Sequence, residues 1–194
     1  MRFSPAFLAL LFVAAPAAAT TLITNGLGQL TGITGLTVNG ARYDVSFHGG
    51  SCVDAYSGCT GSTFTFGDEQ DSTAASWAIL EAIQSDPVYD GAPWLTSGCT
   101  NRLCIIDVPF AVSGGIVFNS AAYNGDPTWP VPDDVMPDSF YASLDYGGSR
   151  TFAVFSPVVP AVPEPASWAM MLLGFAAIGV AARRRRKPRL AQIA

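Results

Sequence analysis

Polar and apolar residues alternate in several short runs through the middle of the chain, the period of strands half buried on a core. Thr37-Val38-Asn39-Gly40-Ala41-Arg42 sets Asn-Gly between extended residues. That pair predicts a hairpin, because both central positions of the tightest turn need positive φ. On the return strand Tyr43, Val45 and Phe47 face the core, while Asp44, Ser46 and His48 face water. Thr63-Phe64-Thr65-Phe66 repeats the alternation, and Leu103 to Val108 and Gly115 to Phe118 are rich in β-branched residues. A second hairpin is predicted at Gly147-Gly148, joining Phe140 to Tyr146 with Arg150 to Phe155. One segment has the helical period: Ala75, Ala78, Ile79, Ala82 and Ile83 recur at helical spacing until Asp86-Pro87 stops them. Asp71 or Ser72 is placed to cap it, with the carboxylates of Asp68, Glu69 and Asp71 at the positive end of its dipole. The remainder reads as loop, including Asn124 to Asp138 with prolines at 127, 130, 132 and 137. This order of elements predicts an α+β fold, a mostly antiparallel sheet carrying one helix.

The two ends carry a different pattern. Met1 to Ala19 has one charge at Arg2, an apolar run from Ala6 to Ala15, then Ala17-Ala18-Ala19. These are the three parts of a secretory signal peptide, so signal peptidase is expected to cut after Ala19. From Ala166 to Ala182 no residue is charged, and Arg183-Arg184-Arg185-Arg186-Lys187 follows at once. The pattern predicts a single C-terminal transmembrane helix that is short or transient, since such a helix reaches only about 25 Å. Its arginines stay on the cytoplasmic side, which turns the middle of the chain outward. Trp168 lies where an indole anchors at the outer interface.

The run Val162-Pro163-Glu164-Pro165-Ala166-Ser167-Trp168-Ala169-Met170-Met171-Leu172-Leu173-Gly174-Phe175, with Gly179 and the arginines behind it, resembles the PEP-CTERM sorting signal. It is closest to the form in which Trp-Ala follows the PEP triplet by two residues. The resemblance implies that Pro163, Glu164, Pro165, Trp168, Ala169, Gly174, Arg183, Arg184, Arg185 and Arg186 form a sorting motif read by an exosortase, a membrane-embedded cysteine transpeptidase. It further implies a transient stay in the inner membrane, removal of the tail near the triplet, and a cell-surface or matrix destination with exopolysaccharide as an associate. The same tail also carries the name of an ice-binding protein's C-terminal domain, and that name establishes no ice binding. The expected organisation is a signal peptide over 1–19, an outer domain over 20–155, a Pro-rich linker over 156–162, the sorting signal over 163–187 and a cytoplasmic tail over 188–194. The outer section from Tyr43 through Gly50-Ser51-Cys52 and Gly58-Cys59 also loosely resembles that of other PEP-CTERM proteins, which brings no activity with it.

Charge narrows the function of the middle. The chain has 194 residues, of which 13% are charged. Between Thr20 and Val162 the only cations are Arg42, Arg102 and Arg150, against 14 carboxylates, a net charge of −11. A nucleic-acid partner is excluded, because binding a phosphate backbone needs cations that release its counterions. One histidine, His48, excludes multi-histidine metal sites. The residues point to no cofactor.

The four cysteines lie as Cys52 near Cys59 and Cys99 near Cys104. In an exported chain these read as disulfides, and the local pairing is expected among the three connectivities available. His48 with Ser51 suits a strand end better than a catalytic pair, and no Gly-x-Ser-x-Gly elbow occurs. Thr31, Thr34 and Thr37 recur too few times to make an ice-binding face. Trp129 beside Asp133, Asp134 and Asp138 is the candidate ligand-binding patch, for sugar rings on the indole and calcium on the carboxylates. The expectation is a surface or matrix protein whose outer domain is not an enzyme. Its rival is a secreted polysaccharide hydrolase acting through Asp pairs, recognisable by two carboxyls about 5 to 10 Å apart in a cleft.

Overall fold

The computed structural model describes residues 19–159 and 165–185. Residues 1–18 of the signal peptide expected over 1–19, together with Pro163, Glu164 and Arg186, lie outside them. The chain divides into two compact units, one up to Val158 and one from Val159.

The first unit is built on a seven-stranded sheet. Its strands are β1 (Thr21–Thr24), β2 (Leu30–Val38), β3 (Ala41–His48), β4 (Leu103–Ser113), β5 (Ile116–Gly125), β6 (Asp134–Tyr141) and β7 (Arg150–Pro157). They lie in the order β1-β2-β3-β7-β4-β5-β6. Every neighbouring pair is antiparallel except β4 with β7. The β2–β3 hairpin turns on Asn39 and Gly40, with φ of 49° and 81°, as their sequence requires. Val45 and Phe47 are buried and Asp44, Ser46 and His48 exposed, the alternation expected of β3.

One helix, α2 (Glu69–Gln84), covers one face of the sheet. Ala75, Ile79, Leu80 and Ile83 pack there on Ile33, Val45, Ile106, Val108, Ala122 and Ala153. The buried Ser72 and Ser76 hydroxyls donate to the Val108 and Ser120 carbonyls, so their polar groups are satisfied under the helix. The cap is Asp68, whose carboxylate accepts from Asp71 N at 2.9 Å. The helix therefore starts before the Asp71 or Ser72 cap expected, because Asp68 leaves Asp71 free to be its third residue. On the other face Val117, Phe140 and Phe152 form a second core with Tyr56 and Phe64. The short α1 (Cys52–Ala55) and the Cys52–Cys59 disulfide close over it.

The structure corrects several expectations. Thr63 to Phe66 is no strand: a 3-10 turn over Gly61–Thr63 precedes it. Phe64 enters one core and Phe66 the other, so the segment crosses from face to face. The hairpin at Gly147-Gly148 does not form. Arg150 to Phe155 is strand, but it inserts between β3 and β4, where burial on both faces favours it over an exposed pairing with β6. Asn124 to Asp138 is not all loop, for β6 begins at Asp134 and carries Pro137 within it. An edge strand tolerates that proline because one side of its backbone needs no ladder partner. A second short helix, α3 (Pro87–Asp90), follows α2.

The second unit contains α4 (Pro165–Arg185), the helix expected over the C-terminal apolar run. The transmembrane expectation needs correction, since among the described residues no helix is long and apolar enough to cross a membrane. The apolar run is short, is diluted by Gly174 and Gly179, and ends in arginine.

Candidate functional site

Proline suits the first turn of a helix, where its missing N–H has no partner to lose, and α4 opens at Pro165 of the PEP triplet. Trp168, Ala169, Gly174 and Arg183 are all exposed along it, and Arg184 and Arg185 belong to its last turn. The tail thus presents, in order, a triplet, an indole, an apolar helix and a basic end.

In the first unit the expected carboxylate patch comes apart. Asp133 Oδ1 accepts from Gly125 N at 2.7 Å, which ties the Pro-rich loop to the end of β5. Asp134 opens β6 and accepts from Val135 N. Asp138 lies four residues along that strand, where it accepts from the Arg150 guanidinium and, at 3.4 Å, from the Tyr123 hydroxyl. Trp129 rests against Gly125, which Asp133 also holds, and lines a depression with Asn101, Arg102, Leu103 and Ser149. Among the described residues no group of three metal-ligating side chains comes together, so the calcium expectation for Asp133, Asp134 and Asp138 has no assembled site.

Two carboxylates that do approach one another are Asp107 and Asp138, on β4 and β6, with Arg150 from β7 between them. Arg150 Nε donates to Asp107 Oδ2 at 2.9 Å and its NH2 group to Asp107 Oδ1 at 3.1 Å, while the same NH2 reaches Asp138. Asn119 Nδ2 donates to Asp107 from β5 at 2.6 Å. The rings of Phe140 and Tyr146 lie 5.1 and 5.3 Å from the guanidinium carbon. Asp107 is fully buried, and that burial raises its pKa to about 7 against the opposing pull of Arg150. The guanidinium stays charged, held by both carboxylates. This arrangement fills the space between the carboxyls with a cation where a glycosidase needs room for a sugar bond or water. Sequence reasoning missed the network, because Asp107 sits in an apolar run and only its alternation with Ile106 and Val108 signals a polar group turned away from the helix.

The comparison with protein families gives one match, the PEP-CTERM protein-sorting motif, over residues 161–186. This is a PEP-CTERM sorting domain-containing protein. A PEP-CTERM tail indicates an exported, exosortase-processed cell-surface protein, which makes exosortase its partner. The match takes in Pro163 through Arg186, the whole of the expected motif, and stops short of the seven-stranded unit. No curated protein and no solved structure matches the chain. Both disulfides of this PEP-CTERM protein follow the local pairing, Cys52 with Cys59 and Cys99 with Cys104, and no described cysteine is free.

Proposed function

We propose that the first unit is a non-catalytic surface or matrix module, delivered by its tail and associated with exopolysaccharide. Signal peptidase removes residues 1–19, the tail rests transiently in the inner membrane, and exosortase then releases the outer unit. The observation that carries the reading is the sorting motif at 161–186 following directly on a compact, disulfide-linked unit that ends at Val158. The disulfides suit an oxidising destination. Support for a non-catalytic unit comes from Asp107 and Asp138, whose shared Arg150 occupies the place of a substrate. In the native host, epitope tags at Val159 and after Ala194 should part, the first reaching the surface and the second staying with the membrane. Both tags on one full-length species in cells with active exosortase would sink the sorting reading. Replacing Arg183 to Arg186 with Asn should lower retention before processing, since the charges that stop and orient the tail are removed.

A further inference from the structure

Three loops meet at one end of the sheet, and each is held rigid by a different device. Asn101 and Arg102 lie inside the five-residue span of the Cys99–Cys104 disulfide. Thr100 N donates to Gly148 O and Ile105 N to Ser149 O, which fasten that span to the turn before β7. The third loop, from Asp126, contains Pro127, Pro130 and Pro132. Asp126 joins it to the first: its carboxylate accepts from Arg102 Nε at 2.5 Å and NH2 at 3.1 Å, and from both the backbone and hydroxyl of Thr128. Trp129 N donates to Asp126 O at 2.8 Å. The indole rests against Gly125, where a Cβ would come within 3.0 to 3.1 Å of Trp129 Cβ, Cγ and Cδ1. A glycine there lets the ring lie on backbone while 38% of the residue stays open to solvent.

We propose that this depression, lined by Trp129, Arg102, Asn101 and Ser149, binds a neutral pyranose ring of a polysaccharide. A pyranose has an apolar C–H face that packs on an indole and a rim of hydroxyls that pair with polar groups. Arg102 supplies donors, Asn101 a donor and an acceptor, and Ser149, whose hydroxyl already donates to Tyr146 O, an acceptor. The choice of a neutral ring follows from charge. Arg102 is already neutralised by Asp126, and the surrounding unit carries −11, so a polyuronate is repelled and an uncharged glycan is not. The platform exists before the ligand arrives, which keeps the ordering cost of binding low. The inference deepens the exopolysaccharide association proposed above and rests on it. Its test is independent of sorting, because a binding failure leaves the separation of the two epitope tags untouched.

The unit from Thr20 to Val158 contains both cores and both disulfides, and can be titrated alone. With β-1,4-glucohexaose and β-1,4-mannohexaose as probes, the Trp129 indole N–H resonance should shift with at least one. Trp129→Ala should weaken that binding about tenfold and Trp129→Phe should restore most of it. Hexagalacturonate should bind at least about tenfold more weakly than the neutral probe. The proposal is overturned if neither neutral hexaose moves the indole resonance of the wild-type unit at millimolar concentration. It is equally overturned if a Trp129→Ala unit of unchanged melting temperature binds as tightly as wild type, or if the polyuronate binds best.

Discussion

Arg150 answers to two carboxylates, and its removal leaves them unequal. Asp138 can turn to water, but Asp107 is sealed in, so above about pH 7, where Asp107 is ionised, Arg150→Met should cost about 3 to 5 kcal/mol by stripping a buried charge of its partner. The pH dependence follows from the raised pKa of Asp107. Between the ordinary 3.8 and about 7 the folded chain holds a proton there that the unfolded chain has released, so this group's contribution falls as pH rises through that window. Asn119 Oδ1, buried with no donor, gains one from protonated Asp107 if its amide turns over. Asp107→Asn should flatten the slope of stability between pH 4 and 7 in denaturant titrations, and a slope as steep as wild type would count against the assignment. Asp126 behaves oppositely. Hydrogen bonds from Arg102 and Thr128 lower its pKa to about 2, so its stabilisation is present above 3.8 and is lost as pH falls toward 2. The Trp129 indole resonance should therefore broaden or move in acid, before the global unfolding seen by far-UV circular dichroism.

At the scale of elements, α2 depends on its start. Asp68→Ala should destabilise the unit by about 1 kcal/mol in urea, since one amide of the first turn loses its acceptor. Each disulfide closes a short loop, and opening Cys52–Cys59 by paired serine substitutions should cost about 2 to 3 kcal/mol at most. Elements with strong local signals were legible in the sequence: Asn39-Gly40 forces a turn wherever its strands go, and the alanine and isoleucine spacing of α2 needs no partner to be seen. The disulfides follow from spacing for the same reason. Illegible were features decided by distant partners. Pro137 argues against a strand until β6 is known to be an edge, and Gly147-Gly148 argues for a hairpin until β7 is seen to pair with β3 and β4. The different partners of the candidate patch residues were illegible in the same way. Trp129 and the aspartates are close in sequence, but β6 carries Asp138 toward Arg150 while Gly125 draws Trp129 toward Arg102. The sorting tail was readable throughout, because a short linear motif needs no fold to define it.

The whole unit consists of two antiparallel meanders, β1 to β3 and β4 to β6, joined through the last strand. β7 pairs antiparallel with β3 and parallel with β4, and no other strand bridges the halves. Deleting residues 150–157 should leave two half-sheets joined only under α2 and remove Phe152 from the second core, visible as loss of the cooperative thermal transition. Secretion gives that arrangement a temporal meaning. A chain threading outward from its N-terminus cannot close its sheet until residue 157 has emerged, by which time fewer than ten residues separate it from the helix that opens at Pro165. On the export route proposed above, the unit would travel as an open thread until β7, the strand that joins the two meanders, had emerged. Pulsed proteolysis of stalled translocation intermediates should find protection appearing abruptly once β7 is outside, with no protected fragment before it.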